Sequence, residues 1–350
     1  MELIDPPESQ KPPSGRDSVR TLGEDIAVIF LDGTRRLRTV WRFLIFGAAC
    51  VGATFASIVL TILYVLFVML PRDAPIFAEQ EIPAEDRFVQ IFAQPTAELF
   101  AISTVASLPP FLLVVLACRV LLDRRSIASM GFRWSWPSLT VSPAAGLVVG
   151  VLPILMIAGV VWGGGWFLID VAVPPAPPLV WLSASLVLAA FMEEIIFRAY
   201  LLQNLVDVRR MVFGVLFTSV VFWIVHSLNP HIYTSPWPAA NLFGAGVLLA
   251  LAYLVSGNIW FPTAMHFGWN FAQGPLLGIP VSGITFEGML SLTPAEGSPD
   301  WLTGGEFGLE GSALTTAALA VMIAVFLAIL LRRQRGVGES AIVAEIVTGP

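Results

Sequence analysis

Glu193, Glu194 and Arg198 stand in FMEEIIFRAY (191–200), His226 closes FWIVH (222–226), and His266 and Asn270 bracket HFGWN (266–270). All of them interrupt long apolar runs. A carboxylate withdrawn from bulk water can take a proton from water, an imidazole can hold or pass one, and an amide or imidazole N–H can stabilise a developing oxyanion. The same groups could instead relay protons or cations across a membrane. Glu193, His226 and His266 are also three N/O donors of the kind that hold a catalytic zinc with one position open to water. The helical pattern of two histidines four apart around a glutamate is absent, however, and neither Cys50 nor Cys118 is placed to help.

Helix geometry decides which groups can meet. Glu194 and Arg198 lie four apart on one face and should pair, whereas Glu193 is rotated about 100° away and is left as the available carboxylate. His266 and Asn270 are also four apart and share a face. Glu193 precedes Arg209, and His226 follows Arg210, by equal steps, so each lies about 24 Å along its helix from the intervening turn. An antiparallel hairpin brings them level. A buried ion pair that only locks helices together is the plainer account of Glu194 and Arg198, and a single histidine often only hydrogen-bonds between helices. Convergence of a free carboxylate, two imidazoles and an amide from three helices favours a site that catalyses or handles ions.

The elements that must carry these groups are membrane helices. The chain has 350 residues, 56% hydrophobic and 13% charged, against about 45–50% and ~25% in soluble domains. A soluble surface cannot be built from so few charges. Lys11 is the only lysine, so no basic patch grips nucleic acid. Cys50 and Cys118 each sit inside an apolar run, which excludes a disulfide scaffold. Apolar runs of membrane-spanning length, about 20 residues, fall near 41–70, 99–121, 140–168, 179–205, 211–228, 240–256, 259–275 and 312–331. These predict an all-α polytopic bundle of about eight transmembrane helices over 41–335. A tail over 1–40, rich in proline, serine and charge and disordered at least to about residue 20, precedes it, and a short tail over 336–350 follows. Arginine and lysine near span ends stay in the cytoplasm. With both termini inside, all 19 basic residues except Arg72, Arg87 and Arg198 fall on the cytoplasmic side. Loops 71–98 and 276–311, with Glu79, Glu81, Glu85, Glu287, Glu296 and Glu306, fall outside. Gly146 and Gly150, and Gly159 and Gly163, have the spacing of close helix packing.

An ionised side chain at the bilayer centre costs about 2.5–3.5 kcal/mol on insertion scales, which is why Glu193, Glu194 and Arg198 call for a function. EExxxR, FxxxH and HxxxN, in this order and on separate spans, resemble the motifs of the CAAX-protease and bacteriocin-processing (CPBP) family. That family of membrane-embedded proteases includes the type II CAAX prenyl endopeptidases. GIPVSG (278–283) and LTGGEFGLEG (302–311) look similar to its bacterial branch, so the resemblance runs over about 115–311. It implies that Glu193 and His226 activate water, that His266 and Asn270 stabilise the oxyanion, and that Glu194 and Arg198 support them. It also implies a cavity open to the cytoplasmic side. No cofactor is firmly implied; a divalent metal such as zinc on Glu193, His226 and His266 is the open alternative, with a metal-independent glutamate mechanism favoured. The expected protein is therefore a multi-pass endopeptidase of a bacterial inner membrane. Its partners are the lipid bilayer and a membrane-associated protein or peptide, not nucleic acid. The rival readings are a proton- or cation-coupled transporter and a noncatalytic immunity or scaffold protein.

Overall fold

The computed structural model describes residues 30–32, 36–73, 80, 83–93, 96–172, 176–206 and 210–337. Of the expected tails over 1–40 and 336–350, residues 1–29, 33–35 and 338–350 lie outside the described residues, as do Arg209, Glu79 and Glu81, while 336 and 337 continue the last helix. Each expected apolar run contains a helix. Helix α1 runs over Thr39–Asp73, α2 over Ala84–Ala93, α3 over Ala97–Leu122, α4 over Val141–Gly163, α5 over Ala176–Val206 and α6 over Met211–His226. Then come α7 over Pro236–Ser256, α8 over Trp260–Phe271 with a wider turn Ala272–Leu276, and α9 over Ala313–Val337. Six of these helices are long and apolar enough to cross a membrane. Helices α6 and α8 are shorter, at 16 and 12 residues, about 24 and 18 Å. The all-α polytopic architecture holds.

Two segments depart from the expectation. The run 140–168 is not one helix: Gly163, Gly164 and Gly165 end α4, and strand β1 (Phe167–Val171) pairs antiparallel with β2 (Leu290–Pro294), Phe167 opposite Pro294. Its largely apolar character hid the break, because a short apolar strand and the end of an apolar helix look alike without periodicity. The outer segment 276–311 is not a loop exposed along its length either. Ile279, Val281, Phe286, Leu292, Leu302, Phe307 and Leu309 are buried, and the segment folds over one end of the bundle. Gly308, at φ 88, permits this: a Cβ there would stand 1.9 Å from the Pro280 carbonyl oxygen. Gly283 does the same, at 2.2 Å from the oxygen of Pro230. GIPVSG and LTGGEFGLEG are thus interlocked with each other and with the α6–α7 connection.

Leaving aside the short α2, successive helices alternate in direction. The start of α1 and the ends of α3 and α5 meet through Arg42, Asp123 and Asn204. At the same end Asn258 bonds Ser142 at the start of α4 (2.9 Å), Trp260 bonds the Arg133 carbonyl (3.0 Å), and Arg333 near the end of α9 bonds the Val255 carbonyl. At the opposite end, Tyr64 and Arg72 near the end of α1 bond Glu98 at the start of α3 (3.1 and 2.8 Å). Asn241 early in α7 there bonds the Glu310 and Ser312 carbonyls (2.7 and 2.9 Å).

Helix α8 is set by glycine. A Cβ on Gly146 would meet the Phe261 oxygen at 2.3 Å and one on Gly150 the Met265 oxygen at 2.1 Å. From the α8 side, a Cβ on Gly268 would meet the Leu147 oxygen at 2.8 Å. The two backbones therefore touch, which holds His266 and Asn270 at a fixed height; Gly159 and Gly163, with nothing within 4 Å, take no part. Gly150→Val should cost about 1–3 kcal/mol by overpacking, read as a lowered unfolding temperature in detergent, whereas Gly159→Val should leave that temperature unchanged.

Candidate active site

Glu193 and Glu194 lie at the point where α5 changes from α-helical to π-helical turns (Ile195–Leu202). Such widenings recur at functional segments of helices. Glu194 is fully buried, and its Oε1 accepts from Arg198 Nη1 at 2.8 Å and from His266 Nδ1 at 3.0 Å. Arg198, 1% exposed, also reaches the Gly246 carbonyl (3.4 Å) and lies 4.9 Å from the Phe222 ring centroid. The pairing of Glu194 with Arg198 is present. Sequence spacing alone missed that Glu194 also orients His266.

Glu193 points elsewhere. Its Oε2 lies 3.7 Å from His226 Nε2 and 3.8 Å from His266 Nε2, and this oxygen is buried without a hydrogen-bond partner. The level reached by α5 and α6 is thus shared, as the hairpin arithmetic required, and α8 brings its histidine to the same place. His226 Nδ1 is 2.8 Å from the Phe222 carbonyl. A carbonyl only accepts, so Nδ1 carries the proton and the neutral ring presents a lone pair at Nε2. The Glu194 carboxylate likewise accepts from His266 Nδ1 and fixes the orientation of that ring.

Glu193, His226, His266 and Asn270 line one cavity of about 200 Å³. It extends to Asn229, Val281, Ser282, Ile284 and Glu310 at the end of the bundle opposite Arg42 and Asp123. The expectation of a cavity open toward the cytoplasmic, arginine-bearing end is not met. On that side of Glu193 the chain is closed: Arg198, Ala199, Tyr200, Leu202, Gln203 and Asn204 on α5 are each at most 1% exposed, as are Ala252, Tyr253 and Leu254 on α7.

Glu310 is the cavity residue that sequence reasoning did not single out. Its Oε1 accepts from Trp269 Nε1 (3.0 Å), and its Oε2 from the Ser282 N–H (2.9 Å) and Oγ (2.6 Å). Trp269 lies beside Asn270, and Ser282 holds a left-handed backbone at φ 50. Glu310 therefore ties the folded-over segment to α8 with three donors. Its only sequence signal was its place in LTGGEFGLEG. Glu310→Gln turns an amide donor toward one of these donors, and the expected loss is about 1–3 kcal/mol of stability, measured by thermal unfolding in detergent.

The donor types of Glu193, His226 and His266 suit zinc, and their Oε2–Nε2 separations are 3.7 and 3.8 Å. Among the described residues no set of three or more His, Cys, Asp or Glu side chains is arranged to hold a metal ion.

No curated protein matches the chain. No solved structure matches it either. A family model does match, that of "Type II CAAX prenyl endopeptidase Rce1-like", over residues 175–272. This is narrower than the 115–311 over which the motifs suggested a resemblance, and it ends before GIPVSG and LTGGEFGLEG. It spans Glu193, Glu194, Arg198, His226, His266 and Asn270. With six helices apolar and long enough to cross a membrane, the chain is a multi-pass integral membrane protein whose residues 175–272 are similar to the type II CAAX prenyl endopeptidase Rce1-like family.

Proposed function

We propose that the chain is an endopeptidase that hydrolyses peptide bonds of membrane-associated proteins or peptides with water activated by Glu193 and His226. The observation that carries this reading is the buried, unpartnered Glu193 Oε2 facing the Nε2 atoms of His226 and His266 inside a cavity. A water donating to Glu193 Oε2 and His226 Nε2 is held by two acceptors. As its oxygen attacks the substrate carbonyl carbon, the O–H bond breaks and Glu193 takes the proton. The carbonyl π electrons move to the oxygen, where Asn270 donates from its amide and His266, protonated on both nitrogens, donates from Nε2. Glu194, paired with Arg198, orients that imidazolium through Nδ1, and its charge is balanced by the Glu193 carboxylate before attack and by the oxyanion once Glu193 has taken the proton. Collapse of the intermediate breaks the C–N bond, and Glu193 returns its proton to the leaving amine. No step passes through a metal.

The test compares membrane-protein termini in cells carrying the native chain and Glu193→Gln. New termini that vanish with the variant support hydrolysis. Unchanged termini together with loss of a pH-dependent ion flux replace it with the transporter reading, and no change in either supports a noncatalytic scaffold. A chelator such as 1,10-phenanthroline is expected to leave the purified enzyme's rate unchanged; loss restored by added zinc would instead assign a metal to the site.

A further inference from the structure

We infer that this cavity takes its peptide from the noncytoplasmic face of the membrane, so that the substrate class is a membrane-anchored protein or peptide whose cleavable segment lies on that face. The inference rests on the hydrolytic reading above and adds the side and the anchoring of the substrate.

Two independent gradients run along the bundle. The first is charge. Arg36, Arg38, Arg42, Arg119, Arg124, Arg125, Arg133, Arg210, Arg332, Arg333 and Arg335 stand at the end where α1 begins and α9 finishes, whereas Arg72 and Arg87 are the described basic residues at the other end. Retention of basic residues in the cytoplasm orients the first end inward. The second gradient is burial. Glu193 precedes Val206 by thirteen positions, about 20 Å of helix. That stretch is filled by side chains with no exposure, among them Leu202, Gln203 and Asn204. Water and peptide have no path through it.

Toward the other end the cavity is roofed by connecting segments instead of packed helices. His226 is the last residue of α6, and Asn229, Ser282 and Ile284 belong to connections at that end. Phe286 also lines a second cavity, of about 1000 Å³, between α3 and α5. Ile102, Val105, Leu182 and Leu188 make the walls of that groove apolar, and Arg72, Thr96 and Glu98 place its rim at the same outer end. Phe100, against the Phe286 ring at 5.2 Å, lines the catalytic cavity from the groove side. The Phe100–Phe286 ring pair thus stands between the groove and the catalytic cavity, and the occupant of the groove is the apolar, membrane-embedded flank of the same substrate. A prenylated C-terminus on the cytoplasmic face, the precedent that the resemblance supplies, would meet the closed end.

Single cysteines test the side in a full-length chain whose Cys50 and Cys118 are replaced by alanine. Thr234→Cys and Glu296→Cys report the cavity end, and Ser135→Cys reports the arginine-bearing end. With a membrane-impermeant maleimide on intact cells, the first two are expected to label and the third only after permeabilisation. The reverse pattern overturns the inference whatever the activity, and if one outer variant fails to accumulate the other decides. The termini comparison supplies the second arm. Glu193-dependent cuts in noncytoplasmic segments support the inference, and Glu193-dependent cuts confined to cytoplasmic segments overturn it while leaving the hydrolase reading intact. If no cut depends on Glu193, the hydrolase reading fails, and the substrate assignment with it, although labelling still reports which way the cavity faces.

Discussion

Glu193→Gln is expected to lower kcat/KM on a cleaved peptide by about 10²–10⁴, the usual contribution of a positioned general base, while the protein still folds. The amide keeps the shape of the side chain but cannot take the proton of the attacking water. Folding should survive because Glu193 Oε2 has no hydrogen-bond partner to lose. Glu194→Gln makes the contrast. It leaves Arg198, 1% exposed, without its 2.8 Å carboxylate partner, and breaking a buried pair from one side costs about 3–5 kcal/mol. It also replaces the charged acceptor that orients His266 with a neutral amide oxygen, which holds the ring more weakly. The two adjacent glutamates should therefore separate in a paired measurement of rate and unfolding temperature: Glu193→Gln folded and inactive, Glu194→Gln destabilised. A Glu193→Gln protein that cleaves at the native rate would remove Glu193 from the chemistry.

That contrast shows what the sequence could and could not reveal. The adjacency of Glu193 and Glu194 on a helix sends them to different faces whatever surrounds them, so their division was legible from 3.6-residue periodicity. The common level of Glu193 and His226 was legible because both helices leave one short turn. His266 was harder to place, because α8 starts from a turn whose height depends on Gly146 and Gly150 letting α4 touch it, and such an approach is a property of two helices together. Glu310 was illegible for another reason. It lies in an aperiodic, glycine-rich segment, where neither face nor depth can be counted, and its partners Trp269 and Ser282 are distant in sequence. The direction of the cavity was illegible because motifs fix which groups meet and say nothing about which side of them is filled.

Two of the charges near span ends do more than mark the cytoplasmic end: Arg42 and Arg119 are 3% and 0% exposed. Asp123, also 0% exposed, accepts from Arg42 at 2.8 Å, Arg119 at 3.3 Å and Asn204 at 2.9 Å. Arg119 continues to Ser129 (2.6 Å) and Gln203 (2.8 Å). One carboxylate thus compensates two guanidinium groups at the junction of α1, α3 and α5. Asp123→Asn keeps some of the hydrogen bonding but leaves two buried like charges facing one another. Removing one side of a buried pair costs about 3–5 kcal/mol, and the second arginine places this variant at or above the upper end. The expected result is failure to accumulate in the membrane or a large drop in unfolding temperature. Adding Arg42→Gln to Asp123→Asn should recover part of the loss, since one uncompensated charge is removed. The folded fraction should cleave at the native rate, because the network lies on the closed side of Glu193 and touches no cavity residue. An Asp123→Asn protein as stable as the native one would mean that water or lipid already shields these arginines, and the closed end would then be less closed than the packing of α5 indicates.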